Sequence, residues 1–285
     1  MTFSIQPLSG PLGAEVSGLN LSQSLDDATI GEILDAWHAH ELLLFRGQDI
    51  SEDQQVGFAA RFGNVAPWSL CEDAVETEGA SHHPLIMLIS NIKKDGEYIG
   101  SIPDGEVDFH SDGIYTETPQ TATMLYAIEV PSSGGDTLFA NMYMAYEALP
   151  GDIKERLQGK TALHAFTYNT QTVRDVERKK AEGDAEVSRF SHPVFRTHPA
   201  TGRKALYVNR LMTQEIEGIG PEEGRRLLDF LFDHSERREF IYAHKWQPRD
   251  LLIWDNRCLN HGRDEFDSTE RRLMRRLTIA GEKPF

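Results

Sequence analysis

Short strand-like segments spread along the whole chain constrain the fold more than any other feature of the sequence. Each is β-branched or aromatic and is bounded by Gly, Pro, Asn or Asp, which is typical of strands that end in tight turns. Because few helical patterns lie between them, the sequence favours a jelly roll or a barrel over a doubly wound sheet. The predicted strands are short ones within residues 1–20, then 42–45, 85–90, 121–127, 136–139, 205–208, 250–254 and 273–280.

Helical patterns occur in four stretches, and a fifth, densely charged stretch at residues 170–191 is predicted to be either an exposed surface helix or a lid over the site. Apolar residues recur at helical spacing in residues 26–40, which predicts an amphipathic helix. Ser51 is a predicted N-cap, with a helix from there to about residue 62. Further helices are predicted at residues 144–149 and 221–234. The resulting fold class is mainly β with flanking helices (α+β).

Charge and composition exclude several kinds of partner. A formal net charge of −16 repels polyanions, which argues against nucleic acid or an anionic membrane surface. The longest apolar run, residues 84–89, is far shorter than the roughly 20 residues of a spanning helix. The N-terminus lacks the pattern of a secretory signal, and the two cysteines, Cys71 and Cys258, make no disulfide framework. We therefore expect a cytoplasmic protein.

The sharpest local feature is the tripeptide His110-Ser111-Asp112. In a strand, side chains alternate between the two faces, so His110 and Asp112 would project from the same face. Two histidines and one carboxylate on one face of the metal are the arrangement of non-heme Fe(II) oxygenases. The tripeptide therefore predicts two of the three ligands, although Asp108 shares the same face and competes with Asp112 on spacing alone.

A third ligand has to come from elsewhere in the chain. His261 is the candidate, because it follows an apolar strand that breaks into a polar turn, where an imidazole can point into the mouth of a barrel. A loop histidine bonded to solvent is the competing interpretation. Other histidines, such as His192 and His198, lie in surface-like sequence rich in Pro or Gly, without an acidic neighbour in the same arrangement.

Two arginines near the C-terminus predict an anion site. Arg272 and Arg276 would share a face in either a strand or a helix. The planar guanidinium binds a carboxylate through two parallel hydrogen bonds, so a fixed arginine is a good anchor for a dicarboxylate. An exposed basic stripe is the competing interpretation, but the apolar residues between the arginines indicate a buried strand.

Taken together, these motifs resemble the taurine dioxygenase family, which includes the 2,4-dichlorophenoxyacetate dioxygenases and consists of Fe(II)- and 2-oxoglutarate-dependent enzymes. The resemblance covers nearly the whole chain, with the motifs in the family's order and spacing. They are residues 13–18 (GAEVSG), 45–48 (FRGQ), 61–63 (RFG), 110–113 (HSDG), 117–119 (ETP), 134–137 (GGDT), 207–209 (YVN), 254–257 (WDNR), 271–272 (RR) and 281–285 (GEKPF).

The resemblance implies one domain over residues 1–285, with a double-stranded β-helix (jelly-roll) core flanked by helices. The expected cofactors are Fe(II), the co-substrate 2-oxoglutarate and O2, and a homo-oligomer, a dimer or a tetramer, is expected. Arg276 would lie near the iron-binding end of the co-substrate and near the substrate. The residues assigned by resemblance are His110, Asp112 and His261 for the catalytic iron, and Thr137, Arg272 and Arg276 for 2-oxoglutarate.

Two departures from the taurine-specific members bear on the substrate. Trp68 stands where those members place a histidine for the sulfonate, and Glu106 stands where they place an asparagine. An indole cannot form an ion pair with a sulfonate, and a carboxylate would repel one. We therefore expect taurine to be a poor substrate. A small molecule with an apolar or aromatic body and a cationic or hydrogen-bond-donating group should fit better, contacted by Trp68, Glu106 and Arg276. Residues 64–107 and 168–192 are predicted lids over the site.

The predicted reaction is hydroxylation of a C–H bond with release of succinate and CO2. Desaturation, cyclisation or another oxidative step with the same cofactors is the first alternative, because the ligands alone do not fix the outcome. A zinc hydrolase with the same three ligands and a non-catalytic jelly-roll binding protein are further alternatives. The zinc hydrolase gives no reason for Thr137 and Arg272, and the intact set of three ligands argues against the non-catalytic binding protein.

Overall fold

In the computed structural model, residues 3–67, 83–166 and 188–285 are described. Trp68, Cys71 and most of the second predicted lid lie outside these ranges. The helices are α1 (Asp27–His40), α2 (Glu52–Ala59), α3 (Met142–Glu147), α4 (Gly151–Leu157) and α5 (Pro221–Ser235). The strands are β1 (Ser4–Pro7), β2 (Ala14–Ser17), β3 (Leu42–Phe45), β4 (Val65–Ala66), β5 (Met87–Ser90), β6 (Lys93–Lys94), β7 (Glu97–Tyr98), β8 (Val107–His110), β9 (Ala122–Glu129), β10 (Thr137–Asn141), β11 (Thr161–Ala165), β12 (Arg189–Pro193), β13 (Phe195–Thr197), β14 (Lys204–Leu206), β15 (Thr213–Ile216), β16 (Ile241–His244), β17 (Leu251–Asp255), β18 (Leu259–Arg263) and β19 (Leu273–Ile279).

The largest sheet has the strand order β1-β2-β3-β17-β9-β19-β4, and β5 also pairs with β19. Side chains on β3 alternate between two hydrophobic clusters: Leu42 and Leu44 belong to one, and Leu43 and Phe45 to the other. All four are fully buried. Because successive strand residues point to opposite faces, this large sheet is buried on both of its faces.

A smaller sheet of order β16-β10-β18-β8 covers one face of the large sheet. Phe139 of β10 and Trp254 of β17 meet edge to face, with ring centroids 5.2 Å apart. The other face of the large sheet packs against α1 and α2 through Ile33, Trp37 and Phe58. Two sheets facing each other, with helices outside, form the predicted jelly-roll core, and the fold class is confirmed.

Local sequence signals explain where α1 and α2 begin. The Asp26 carboxylate accepts a hydrogen bond of 2.7 Å from the Thr29 amide and caps α1. At α2, Ser51 and Gln54 form a reciprocal capping box, which satisfies two of the amide groups left open at a helix start. The start of α2 was predicted correctly, but the helix ends at Ala59, three residues before the predicted end.

Two expectations about histidines were wrong. His192 and His198 lie in sequence that resembles a surface loop, yet both are only 1% exposed. The His192 ring hydrogen-bonds the Thr116 carbonyl oxygen at 2.8 Å, and His198 Nε2 lies 3.0 Å from an Asp255 carboxylate oxygen. Burial is tolerated because each imidazole has a partner, and neither partner is near its histidine in the sequence.

No helix within the described ranges is both long enough and apolar enough to cross a bilayer.

Candidate metal centre and anion site

Strand pairing brings the three predicted metal ligands together. His110 is the last residue of β8 and pairs directly with His261 of β18. Asp112 follows two residues after His110, in a turn beyond the end of the strand. The predicted strand geometry of His110 and Asp112 was therefore wrong, and so was the turn predicted for His261, which lies within a strand.

The candidate metal-binding atoms of His110, Asp112 and His261 all lie within 4.8 Å of one another. His110 Nε2 is 3.8 Å from Asp112 Oδ1, and His261 Nε2 is 3.7 Å from Asp112 Oδ2. These separations exceed a hydrogen bond. They suit donor atoms that each bind one metal ion at about 2.0–2.2 Å. The three side chains are 10–12% exposed, so the cluster is enclosed but reachable.

The competing carboxylate of Asp108 takes no part in this cluster. Its side chain is exposed, but its backbone carbonyl oxygen lies 2.9 Å from His110 Nδ1. A carbonyl oxygen can only accept, so Nδ1 carries the proton and Nε2 is the unprotonated ring nitrogen. Asp108 thus sets the tautomer of His110 through its backbone.

The turn after Asp112 requires a glycine. Gly113 has φ of +69°, in the left-handed region, and a Cβ there would lie 2.5 Å from Gln120 Oε1. The left-handed φ disfavours any residue with a Cβ, and a Cβ would also force the Gln120 side chain to move. The turn returns the Asp112 carboxylate towards the two imidazoles after β8 has ended.

The electrostatics of the cluster favour neutral imidazoles and an ionised carboxylate. Burial lowers the pKa of His110, and burial together with His110 lowers the pKa of His261 to about 3. Burial alone would raise the pKa of Asp112, but Arg276 and the two imidazoles outweigh it and hold that pKa well below its usual range. Metal ligation needs these protonation states, because only deprotonated groups bind a cation.

Arg276 and Thr123 contact the two oxygens of Asp112. Arg276 Nη2 lies 2.7 Å from Oδ1, and the Thr123 hydroxyl donates to Oδ2. Arg276 therefore lies at the metal cluster, as the resemblance implied. Thr123 was not singled out from the sequence, since a threonine inside a β-branched strand gives no signal of this role.

Arg272 is a buried cation without an acidic partner in the described part of the chain. It is 2% exposed, and its Nε and Nη1 groups have no hydrogen-bond partner there. Burial, with the charge of Arg263 nearby, lowers the pKa of Arg272 to about 9. A buried unpaired charge is costly, so this guanidinium suits an anionic ligand. An exposed basic stripe is excluded for Arg272.

Arg272 approaches the start of β10, where Thr137 lies. A Cβ added at Gly135, which has φ of +67°, would lie 3.6 Å from Arg272 Nε. Thr137 is the first residue of β10 and is 5% exposed. Its hydroxyl oxygen accepts a hydrogen bond of 2.9 Å from Trp246 Nε1. The indole contact was missed from the sequence, and it leaves the Thr137 hydroxyl hydrogen available for another acceptor.

Two of the three predicted substrate residues lie in the described ranges. Glu106 is exposed just before β8, and Arg276 reaches the metal cluster. Trp68 lies outside the described residues.

A second cluster of metal-ligand residue types lies elsewhere in the described ranges. His198, Asp255 and Cys258 also have candidate ligand atoms within 4.8 Å of one another. Arg257 donates to both Asp255 oxygens, at 2.8 and 2.6 Å, and His198 bonds the same carboxylate. Burial raises the pKa of the Cys258 thiol, which keeps it protonated. This cluster is a closed hydrogen-bond network rather than a cation site.

Comparison with known proteins agrees with this geometry. The model of the taurine catabolism dioxygenase TauD, TfdA family matches residues 4–278. The chain is 33% identical over 286 residues to the alpha-ketoglutarate-dependent 2,4-dichlorophenoxyacetate dioxygenase of Cupriavidus pinatubonensis, covering 98% of each protein. It is 32% identical over 294 residues to the pentalenolactone F synthase of Streptomyces arenae, covering 98% of this chain and 96% of that protein.

A solved structure shows the same fold. AAD-2, crystallised in complex with Mn(II) and N-oxalylglycine, has a TM-score of 0.81 and 30% sequence identity, with 100% of this chain and 98% of that chain covered. The chain therefore belongs to the TauD/TfdA family of dioxygenases. The predicted enzyme class, a 2-oxoglutarate-dependent non-heme iron dioxygenase, is confirmed.

Proposed function

We propose that this enzyme hydroxylates a C–H bond of a small organic substrate other than taurine, with Fe(II), 2-oxoglutarate and O2, and releases succinate and CO2. One observation carries the proposal: the described residues contain a buried His-Asp-His cluster and, a short way along neighbouring strands, a buried arginine without an acidic partner among them. His261 pairs with Phe139, two residues from Thr137. Arg276, which contacts Asp112, is four residues from Arg272. Short spans along β10 and β19 thus connect the His-Asp-His cluster with Thr137 and Arg272.

His110, Asp112 and His261 are the proposed iron ligands. Two imidazoles and one carboxylate fit Fe(II) and leave positions for other ligands. The bound iron, with 2-oxoglutarate and O2, supplies the oxidant that attacks the substrate. The protein holds the imidazoles neutral, keeps Asp112 ionised and encloses the site so that water is limited.

Arg272 and Thr137 are the proposed anchor for the distal carboxylate of 2-oxoglutarate. Among the described residues, the Nε and Nη1 groups of this guanidinium have no hydrogen-bond partner, so a carboxylate can satisfy them bidentately. The Thr137 hydroxyl, whose oxygen is occupied by Trp246, can donate its hydrogen to the same carboxylate. Arg276 is proposed to contact the metal-binding end of 2-oxoglutarate and the substrate.

The substrate is proposed to have an apolar or aromatic body, contacted by Trp68, Glu106 and Arg276. The departures from the taurine-specific pattern support this proposal, as does the phenoxyacetate in the name of one relative. Residues 64–107 and 168–192 are proposed to close over the substrate, within one domain spanning residues 1–285. We further propose a cytoplasmic homo-oligomer, a dimer or a tetramer, whose partners are small molecules and not nucleic acid or membranes.

The type of oxidation is tested by product mass. Hydroxylation adds one oxygen atom to the substrate, whereas desaturation removes two hydrogen atoms. Taurine turnover is the simplest test of specificity. Succinate release with taurine at a rate comparable to that with a phenoxyacetate would contradict the proposed substrate class.

The cofactor assignment is tested by anaerobic addition of Fe(II) and 2-oxoglutarate, followed by the weak visible charge-transfer band of the chelate. The band should form in wild-type protein. Arg272→Ala should need about thirtyfold more 2-oxoglutarate, because truncating a buried charged partner costs about 2 kcal/mol or more.

Arg271→Ala is the matched control. Arg271 is adjacent in sequence but pairs with Glu129 on the surface, with N–O distances of 2.7 and 2.8 Å. It should titrate like wild type. If folded wild-type protein gives no band, the iron assignment is wrong, and activity with zinc and without 2-oxoglutarate becomes the next test.

A further inference from the structure

We propose that Thr123 and Asn256 are positioning residues that fix the Asp112 carboxylate at the metal centre. This role presupposes the proposed function, because Asp112 has to be a metal ligand. Both residues lie in different structural elements from Asp112. Thr123 is in β9, and Asn256 is in the turn between β17 and β18. Both reach Asp112 through hydrogen bonds in the buried interior.

Four buried side chains form a continuous series of hydrogen bonds that ends at Asp112. Trp254 Nε1 donates to Asn256 Oδ1 at 3.0 Å. Asn256 Nδ2 donates to Thr123 Oγ1 at 3.0 Å. The Thr123 hydroxyl then donates to Asp112 Oδ2. The four residues are at most 7% exposed, so solvent does not compete for these groups.

The chemistry of the two ends fixes the direction of every bond in the series. An indole N–H can only donate, so the Asn256 atom that faces Trp254 has to be the carbonyl oxygen. The amide nitrogen of Asn256 therefore faces Thr123 and donates to its oxygen. A hydroxyl has one hydrogen, which is then directed to Asp112. An ionised carboxylate can only accept, so all the bonds are satisfied in this one orientation.

The backbone around Asn256 holds the same region in place. The Asn256 carbonyl oxygen accepts a hydrogen bond of 2.9 Å from the Ser111 hydroxyl. Ser111 lies between His110 and Asp112 and is fully buried. The turn at Asn256 thus contacts the ligand-bearing segment twice, through its own backbone and through Thr123.

The consequence for the metal centre is a carboxylate with restricted rotation. With Oδ2 engaged by Thr123, the Asp112 carboxylate is oriented before any metal binds. Groups around the direct ligands that set orientation typically change metal affinity or activity by about 10–100-fold when they are removed. Asp112 supplies the charge for the metal, and its two oxygens are oriented from two sides, Oδ1 by Arg276 and Oδ2 by Thr123, which Asn256 holds in place.

The test is the affinity for Mn(II), measured by the electron paramagnetic resonance signal of the free ion, which requires no turnover. Thr123→Val removes the hydroxyl and keeps the shape, and we expect Mn(II) to bind about tenfold more weakly or worse. Thr123→Ser keeps the hydroxyl and should restore most of the affinity. Asn256→Asp replaces the donor that faces Thr123 with an acceptor, so it should also weaken binding.

Thr278→Val is the matched control, because Thr278 pairs directly with Thr123 across β9 and β19 and is also buried. Its affinity should equal that of wild type. Equal affinity in folded Thr123→Val would overturn the positioning role and leave the proposed function intact. Failure of wild type itself to bind Mn(II) would overturn both. If Thr123→Val does not fold, the Mn(II) affinity of Asn256→Asp is compared with that of wild type instead. Equal affinity would again overturn the positioning role.

Discussion

Within the described residues, two clusters contain residue types that bind metals, and one of the two has the properties of a metal site. In the first, His110, Asp112 and His261, the imidazole nitrogens stay 3.7–3.8 Å from the carboxylate. In the second, His198 lies 3.0 Å from Asp255, within hydrogen-bond distance. Both clusters consist of residue types that bind metals. They differ in whether the polar atoms are already engaged in hydrogen bonds within the protein.

The partners of each carboxylate account for the difference. Arg257 occupies both oxygens of Asp255 with its guanidinium, and the backbone amide of Arg257 donates to the same group. Asp112 accepts from the Thr123 hydroxyl and contacts Arg276, whose side chain is 20% exposed. A carboxylate within a closed, buried ion pair contributes to the fold, whereas one that faces two neutral imidazoles can accept a cation.

The largest predicted effect is the loss of the metal site in Asp112→Ala. Without the carboxylate, the two neutral imidazoles have no anionic partner, so Fe(II) and Mn(II) affinity should fall by more than the about 10–100-fold of an indirect change. The measurement is metal content after dialysis. Asp108→Ala, which removes an exposed carboxylate next to the site, should retain the metal. Metal retained by Asp112→Ala would contradict the assignment of the first cluster as the metal site.

Asp255→Asn should have the opposite effect: a loss of stability with the metal site intact. It leaves the buried Arg257 without its ion-pair partner, and breaking a buried pair costs about 3 kcal/mol or more. The free energy of unfolding in urea measures this cost. Loss of the bound metal from still-folded Asp255→Asn would show that the second cluster is also a metal site.

Arg272→Met should stabilise the protein in the absence of 2-oxoglutarate. Arg257 has a buried carboxylate as its partner, whereas Arg272 has no acidic partner in the described ranges. Replacing it with an apolar side chain should raise the stability by about 1 kcal/mol, or a few degrees in Tm. The variant should also lose the rise in Tm that 2-oxoglutarate gives wild type. A lower Tm for the ligand-free variant would mean that the Arg272 guanidinium already has a stabilising partner within the protein.

The smallest effect is expected for Cys258→Ala. Because burial keeps the Cys258 thiol protonated, its removal should leave the bound metal unchanged at one ion per chain. Elemental analysis of the purified variant measures this ratio. A ratio that falls with Cys258→Ala would assign metal to the second cluster.

The sequence alone predicted much of this structure, because strand patterns and helix caps are local. The capping box at Ser51 is one example, since its partner Gln54 lies three residues away. The candidate metal ligands were predicted because their motifs match those of a known family. Two features of their local geometry were not predicted. Asp112 lies in a turn held by Gly113, and His261 lies inside a strand that resembled a turn.

Contacts between distant segments could not be predicted in the same way. Trp246 reaches Thr137 across 109 residues, and Thr123 is separated from Asn256 by 133 residues. Such pairs depend on strand register, which a single sequence does not state. For the same reason the burial of His198 was missed, because its partner Asp255 is 57 residues away.

The proposed metal site is tested most directly by anomalous diffraction at the manganese edge, from crystals grown with Mn(II) and N-oxalylglycine. We expect a single strong peak between His110, Asp112 and His261, with a carboxylate of the ligand bound by Arg272. A peak at His198, Asp255 and Cys258, or no peak at the first cluster, would contradict it.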